Sequence, residues 1–378
     1  MYKTQGLKNS RIEVADALRG LAVIGIILYH SVEHFNLAGP PASCSFPFDG
    51  TVFQILTLLL SGKMYGIFAL LFGLSFFIMR DNQEQKGKDF SARFAWRMVL
   101  LFGFGVINMF FYNGDILTFY AILGLLMIPA GYLPTRWLWA VTIFLLLQPV
   151  EIYSMFARRW MNVSAMNGYY FQMGQACQDG TIFEAGAVSL RYGFLSSLLW
   201  FLANGRITQT LGLFFLGILI GRTRLFYDEG NHLKIWRKVL YISLASAVVI
   251  YLAGPIFGIF AVITPGMTLP HLNLAILLII VSGVVLLWYR FAGFRRSLSH
   301  ICFFGRMSLT NYLLSSVFGA FVFYGWGLGM YKVLGTTWSL LVGIAIVVLQ
   351  IVLLRQWAKT HQRGPLETLW RRLTWLGA

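Results

Sequence analysis

An arginine and a histidine lie on the first apolar stretch of this chain, Arg19 and His30, with ten residues between them. The eleven steps that join them cover about 16 Å of α-helix, roughly half of the ~30 Å hydrocarbon core of a bilayer. If Arg19 lies at one membrane face, His30 therefore lies near the middle of the membrane or beyond it. Because an ionisable side chain is costly at that depth, it marks a candidate functional site.

The residues that follow His30 could complete an acid–base group. His30, Glu33 and His34 occupy positions i, i+3 and i+4, which share one face of a helix. Glu33 could fix the tautomer of one imidazole and leave the second ring nitrogen as a general base. The structural alternative is a polar patch where the helix leaves the bilayer, and the spacing leaves open which imidazole is the base.

The same five residues match the His-x-x-Glu-His pattern of some zinc proteases. A catalytic zinc needs a third protein ligand as well as an open position. His271 and Asp115 are the remaining candidates for that ligand, and Asp115 has a simpler role in capping a helix after Asn113-Gly114. We therefore expect no metal.

A second group of candidate residues is basic. Asp16 and Arg19 are three positions apart and could form an ion pair at one membrane face. Because the arginine fork matches phosphate oxygens, a basic mouth for a phosphorylated ligand is also possible there, formed by Arg19, Arg93, Arg97 and Arg306. Membrane topology alone also concentrates arginine at the cytoplasmic face, which is the structural alternative.

Membrane helices are the elements that must position these residues. Hydrophobic residues make up 58% of the 378 residues and charged residues only 12%, against about 25% charged residues in soluble domains. We expect one all-α integral membrane domain over 1–378, with about ten transmembrane helices and a helix-packing face at Gly217-Ile-Leu-Ile-Gly221. The predicted spans are 16–36, 52–79, 94–112, 115–133, 136–157, 206–222, 238–262, 270–289, 299–324 and 335–354.

Two stretches of the sequence are not expected to form single upright spans. The 52–79 stretch is too long for an upright span, so it either tilts or breaks near Ser61-Gly62. Residues 158–205 contain both polar and aromatic side chains, which favours a folded outer loop or cap. Cys44 and Cys177 then lie on the outer side, where their pairing is left open.

The distribution of charge predicts the orientation. With both termini in the cytoplasm, 24 of the 30 Lys and Arg residues lie on the cytoplasmic side, as the positive-inside rule requires. The net charge of +16 then reflects membrane orientation and anionic headgroups, and it predicts no nucleic-acid partner.

Several segments together resemble the YeiB-like family of bacterial multi-pass membrane proteins, a domain of unknown function. The most specific are Gly-Arg-Met-Ser-Leu-Thr-Asn-Tyr at 305–312 and Gly-Pro-Leu-Glu-Thr-Leu-Trp-Arg at 364–371. The others are 11–22, Lys63 with 68–73, and 114–117 with 120–124. This resemblance implies a multi-pass protein of the bacterial cell (inner) membrane.

That family is in turn distantly similar to transmembrane acyltransferases, namely acyltransferase family three and the heparan-glucosaminide N-acetyltransferases. The likeness implies transfer of an acyl group from cytosolic acyl-CoA to an acceptor on the far side. Acyltransferase family three carries an Arg-x10-His pattern on its first span, which Arg19 and His30 reproduce. Many YeiB-like proteins have Asn at the position of His30, so the histidine favours an enzymatic role in this chain.

The leading hypothesis is an acyl-CoA-dependent O- or N-acyltransferase. His30 would be the general base, oriented by Glu33, while Lys63 or Asn311 would stabilise the oxyanion. The four arginines would bind the phosphates of acetyl-CoA or another acyl-CoA. The acceptor would be an envelope glycan, a lipid or a small molecule. The rival hypothesis is a transporter or a lipid- or metabolite-binding membrane protein without catalysis, in which His30 and Glu33 relay protons. An assembly or structural role is a further alternative.

Overall fold

A computed structural model describes residues 11–32, 46–149, 163–227, 232–256 and 270–376. Within these ranges every regular element is a helix, which confirms the all-α prediction. Seven helical stretches there are long and apolar enough to cross a membrane: Glu13–Val32, Asp49–Glu84, Ser91–Phe111, Ile182–Ala203, His232–Leu252, Pro270–Arg290 and Thr336–Ala358. Two shorter apolar helices are Thr135–Leu147 and Ser308–Phe323.

Seventeen α-helices, α1 to α17, follow one another along the described parts of the chain. The first half of the chain contains α1 Glu13–Val32, α2 Asp49–Leu59, α3 Lys63–Glu84, α4 Ser91–Phe111, α5 Leu117–Gly124, α6 Met127–Tyr132, α7 Thr135–Leu147 and α8 Val163–Asp179. The second half contains α9 Ile182–Ala203, α10 Arg206–Thr223, α11 His232–Ile256, α12 Pro270–Arg290, α13 Ala292–Ser299, α14 Cys302–Arg306, α15 Ser308–Phe323, the 3-10 turn Met330–Lys332, α16 Thr336–Ala358 and α17 Pro365–Thr374.

The long 52–79 stretch breaks, as one of the two sequence alternatives proposed. α2 ends at Leu59 and α3 begins at Lys63. Between them Gly62 has φ +78°, a left-handed conformation that glycine adopts without steric cost. The glycine thus separates α2 from α3.

Other predicted spans differ from the observed helices. The predicted 115–133 span is divided into α5 and α6, and α9 meets the length and apolarity of a membrane span although the sequence placed it in the outer cap. The count of about ten helices and the cytoplasmic placement of the termini stay predictions.

α9 packs against the end of α4. Gly186, Gly193 and Ser197 of α9 all contact residues 109–113, at and just beyond the end of α4. The outer cap over 158–205 stays a prediction.

α1 is the central helix of the bundle. It contacts α3, α14, α15 and α16, and it is buried along most of its length. Its closest neighbour is α14, because a Cβ atom added to Gly305 would lie 1.9 Å from the Asp16 carbonyl oxygen and 2.7 Å from the Gly20 nitrogen. Small residues allow such backbone contact between membrane helices.

A second close contact joins α3 to α10. A Cβ atom on Gly217 would lie 2.1 Å from the Leu70 carbonyl oxygen, and one on Gly221 would lie 2.4 Å from the Phe77 ring. The helix-packing face predicted from the Gly217 and Gly221 spacing is therefore confirmed.

The contact between α1 and α14 yields a stability prediction. Gly305→Ala places a methyl group against the backbone of α1, which has no side chain to move aside, so we expect a loss of about 3 kcal/mol or more. Gly293→Ala is the matched control, because nothing lies within 4 Å of a Cβ atom there. Thermal unfolding in detergent measures both variants, and equal melting temperatures for the two would contradict the close contact.

Candidate functional site

Three predicted arginines line one cavity of about 200 Å³, here called the basic cavity. Arg19 lies near the beginning of α1 and Arg97 near the beginning of α4. Arg306 lies just before α15. The cavity extends along α1 from these arginines as far as Ile26, and Ile116 also contributes to its wall. The arginines are thus brought together at one end of a mainly apolar cavity.

Asp16 orients the first of these arginines. Arg19 Nη1 donates to Asp16 Oδ1 at 3.0 Å, and Arg19 Nη2 donates to Ser75 Oγ at 3.1 Å. Arg11 also pairs with Asp16, at 2.8 Å. The predicted ion pair between Asp16 and Arg19 is confirmed. Since one carboxylate serves two guanidinium groups, this mouth keeps an excess of positive charge.

The C-terminal helix α17 packs against the arginines of α4. The Arg97 guanidinium lies 4.0 Å from the centre of the Trp370 ring, and Trp370 Nε1 donates to the Arg97 carbonyl oxygen at 3.2 Å. Arg93 lies over Trp375 at 4.5 Å and donates to the Thr374 carbonyl oxygen. Arg97 and Trp370 line the basic cavity, whereas Arg93 anchors α17 and is absent from the cavity wall.

Glu367 of α17 caps the N-terminus of α15. Its Oε1 accepts hydrogen bonds from the Leu309 nitrogen at 2.7 Å and the Thr310 nitrogen at 3.1 Å. Its Oε2 accepts one from Thr310 Oγ1 at 2.6 Å. A carboxylate at this position satisfies the first amides of a helix and favours its dipole. The segments 305–312 and 364–371 are joined by this contact, and the position of α17 depends on it.

His30 lines a second, smaller cavity of about 70 Å³, here called the histidine cavity. The His30 side chain is buried, with 8% of its surface exposed. Its ring lies 4.4 Å from the Tyr112 ring and meets the Tyr312 ring edge-on at 6.2 Å. Ser197 and Trp200 of α9 complete part of the wall, so α9 helps to shape the surroundings of the imidazole.

The two cavities are adjacent along α1. Ile26 and Ile116 line both of them, and Tyr312 lines the basic cavity while its ring contacts His30. The basic cavity of Arg19 and the histidine cavity of His30 therefore share part of their walls.

Two residues predicted for the catalytic group lie outside both cavity walls. Lys63 is fully buried and its Nζ donates to the Thr57 carbonyl oxygen at 3.1 Å. Asn311 Nδ2 donates to the Phe304 carbonyl oxygen at 2.9 Å. Each therefore has a structural hydrogen bond in this state. Their roles in stabilising an oxyanion stay predictions.

Some predictions fall outside the described ranges. Glu33, His34 and Cys44 all lie there, so the orientation of the imidazole by Glu33 and the pairing of Cys44 stay predictions. Within the described residues, no three His, Cys, Asp or Glu side chains form a group that could hold a metal ion. Asp115 has its predicted capping role, since its Oδ2 accepts from the Thr118 nitrogen at 2.9 Å at the start of α5.

Sequence reasoning missed several residues around His30. Tyr112 reaches the site from the segment after α4, Tyr312 from α15 and Trp200 from α9. Aromatic residues are frequent throughout this chain, at 16%, so their type alone carried no signal. The sequence did carry a signal for Tyr312, because this residue ends the segment 305–312 that also contains Arg306.

Comparisons with known proteins agree with the YeiB-like resemblance and assign no activity. Residues 220–377 match the family model described as "Protein of unknown function (DUF418)", a YeiB-like family. The chain is 28% identical to "Uncharacterized protein YxaH" of Bacillus subtilis, over 98% of this chain and 96% of that protein. It is 26% identical to the "Uncharacterized 39.9 kDa protein in amylase 3'region" of Bacillus acidopullulyticus, over 97% of this chain and 94% of that protein. No solved structure matches.

The Glu367 cap predicts both a loss of stability and a pH dependence. Glu367→Ala leaves two buried amides and a hydroxyl without their acceptor, so we expect a loss of about 1–3 kcal/mol. Burial raises the pKa of Glu367 above its ordinary 4.5, against the opposing effect of the hydrogen bonds from Thr310 and Leu309. The folded protein then binds this proton more tightly than the unfolded chain, so the contribution to stability falls as pH rises from 4.5 through the raised pKa.

Thermal unfolding in detergent between pH 4 and pH 8 measures this dependence. Glu367→Gln is expected to remove that part of the slope, whereas Glu13→Gln, at an exposed carboxylate, is expected to keep it. An unchanged slope in Glu367→Gln would contradict the burial of this carboxyl group.

Proposed function

We propose that the chain is a bacterial membrane acyltransferase that moves an acyl group, in the simplest case acetyl, from cytosolic acyl-CoA to an acceptor hydroxyl or amine on the outer side. The observation that carries the proposal is the arrangement of the two cavities. An arginine-lined chamber and a histidine-lined chamber adjoin along α1 and share Ile26 and Ile116. This is the arrangement that a reaction between reactants from opposite membrane faces requires.

The basic cavity suits the narrow part of an acyl-CoA. Its volume of about 200 Å³ is smaller than the ~300–1,000 Å³ of pockets that enclose whole drug-sized ligands. The pantetheine arm would occupy the cavity, while the phosphates and the nucleotide stay at its mouth. Arg19, Arg97 and Arg306 would bind the phosphates there through charge-assisted hydrogen bonds.

The thioester would then lie near Ile26 and Ile116, next to the histidine cavity. The acceptor oxygen or nitrogen attacks the thioester carbon while His30 takes its proton. A new C–O or C–N bond forms, the C–S bond breaks, and the proton passes from His30 to the thiolate to give free coenzyme A. Tyr312 is the better placed donor for the oxyanion, because it lines the basic cavity and contacts His30.

A transporter is the second candidate, and the position of the two cavities one after the other along α1 favours it. Adjoining cavities of this kind could serve alternating access, in which one site faces each side of the membrane in turn. In that case the same cavities bind a phosphorylated or acidic solute without bond making. Turnover of labelled acetyl-CoA separates the two functions.

Removal of the His30 imidazole tests the enzyme directly. Protein in nanodiscs is incubated with radiolabelled acetyl-CoA and a bacterial envelope extract, and both transfer and hydrolysis of the label are measured. His30→Ala is expected to lower turnover by about 10²–10⁴-fold, which is the usual contribution of a general base. His361→Ala is the matched control, because His361 is exposed and stacks on Trp357 near the C-terminus.

The outcomes of this assay are distinct. If His30→Ala folds normally and retains wild-type turnover, the assignment of the base is wrong. If the wild-type protein binds acetyl-CoA without turnover, or does not bind it, the transporter is favoured.

The arginine mouth predicts a change in donor affinity. Arg306→Gln removes one phosphate-binding guanidinium and is expected to raise the KM for acetyl-CoA about tenfold with kcat nearly unchanged. Arg295→Gln removes an exposed arginine of the neighbouring α13 and is expected to leave both constants unchanged. If both variants change the KM for acetyl-CoA by the same factor, Arg306 has no specific role in binding the donor, and its position reflects membrane topology alone.

A further inference from the structure

Two cations are buried beside the histidine cavity without an acidic partner among the described residues. Lys63 has no exposed surface and Arg206 is 4% exposed. Lys63 Nζ donates to the Thr57 carbonyl oxygen at 3.1 Å, and Arg206 Nη1 donates to Gln209 Oε1 at 2.6 Å. Both acceptors are neutral. Burying a charge that has no counter-ion costs several kcal/mol, so this arrangement requires an explanation.

Helix ends add to the positive charge at this place. Lys63 is the first residue of α3 and Arg206 is the first residue of α10. A helix N-terminus carries a partial positive charge, so a basic side chain there is unfavourable. The start of α12 lies here as well, since Gln209 Nε2 donates to the Pro270 carbonyl oxygen at 2.7 Å. Three positive helix ends and two cations therefore converge.

The Arg206 guanidinium lies directly behind the wall of the histidine cavity. Gly62, Tyr65 and Trp200 line the cavity, and all three approach Arg206. The guanidinium carbon lies 5.3 Å from the Tyr65 ring centre and 5.9 Å from the Trp200 ring centre. A Cβ atom on Gly62 would lie 2.9 Å from Arg206 Nη2. Because Gly62 has no side chain, the wall is thin at this point.

Hydrogen-bond donors remain available at these cations. A guanidinium has five N–H groups and an ammonium has three. Within the described part of the chain, Arg206 Nε has no hydrogen-bond partner although it is buried, and the one bond assigned to the Lys63 ammonium goes to Thr57. An anion at this place would satisfy spare donors and neutralise the charge together.

We propose that the histidine cavity receives an acidic acceptor, whose carboxylate or phosphate group reaches Arg206 and Lys63 past the thin wall at Gly62 and is bound there. This inference rests on the proposed function, because it takes His30 as the base that faces the acceptor hydroxyl or amine. Charge-assisted hydrogen bonds to the anion would hold the acceptor in one orientation. Lys63 thereby has a binding role, distinct from the oxyanion role suggested by the sequence. A free solute and the headgroup of an anionic lipid present the same chemistry.

The test measures anion binding without acyl transfer. The full chain is placed in nanodiscs of phosphatidylcholine, and inorganic phosphate is titrated at constant ionic strength while thermal unfolding is recorded. Phosphate is expected to stabilise the wild-type protein. Arg206→Gln and Lys63→Met are each expected to weaken the apparent phosphate affinity at least tenfold. Arg206→Lys keeps the charge and is expected to lose less, which maintains the test if Arg206→Gln does not fold.

Two control variants locate the bound phosphate. Arg295→Gln is expected to retain the full response, and Arg306→Gln reports phosphate bound in the basic cavity. A response that survives both Arg206→Gln and Lys63→Met, or that disappears only in Arg306→Gln, overturns the proposal. Absence of any response in the wild-type protein, in phosphatidylcholine and in anionic nanodiscs alike, overturns it too.

A second arm distinguishes the sources of the acidic group. If the ligand is a lipid headgroup, nanodiscs that contain phosphatidylglycerol are expected to raise the melting temperature of the wild type more than that of Arg206→Gln. The bound headgroup is then also expected to suppress the response to added phosphate. A solute site is expected to respond to phosphate in both membranes. If the protein does not turn over acetyl-CoA, these binding results still stand. If His30-dependent turnover is present but the protein binds no anion, only the acidic acceptor is rejected.

Discussion

The structure is organised around the backbone contact between α1 and α14. Gly20 and Gly305 let the two helices approach without side chains between them. This contact holds α1 in the centre of the bundle and places Arg306 beside the Asp16–Arg19 pair. The residues of α1 then follow in fixed order from the arginine chamber, past Ile26, to the histidine chamber. Catalysis between opposite membrane faces requires that order.

The cost of burying charge explains most of the other polar contacts. Arg19 shares Asp16, Arg97 stacks on Trp370, and the Glu367 carboxylate is bound by amides and a hydroxyl of α15. Each of these three charges thus has a partner that offsets its lost hydration. Lys63 and Arg206 differ because both begin helices, where the helix ends add positive charge, and their described partners carry no negative charge. This convergence of positive charge is the reason for proposing an acidic ligand beside the histidine cavity.

The sequence predicted the helical membrane class, the Asp16–Arg19 pair, the Gly217 packing face and the capping role of Asp115, because each depends on local spacing or composition. It also predicted one group of four arginines, of which Arg19, Arg97 and Arg306 line the same cavity and Arg93 does not. It did not predict the two adjoining cavities, since their shared lining includes Ile26 and Ile116, which are 90 positions apart in the chain. The roles of Arg206, Trp200 and Glu367 likewise depend on long-range packing, which cannot be predicted from helical periodicity or residue type.

A cryo-EM map of the protein in nanodiscs with coenzyme A at saturating concentration tests most directly whether the basic cavity binds the acyl donor. We expect density for the phosphates at Arg19, Arg97 and Arg306, with the pantetheine arm in the basic cavity and its thiol at the boundary formed by Ile26 and Ile116. A saturated sample in which that cavity holds no ligand density, or in which coenzyme A occupies another part of the molecule, would contradict an acyl-CoA site there.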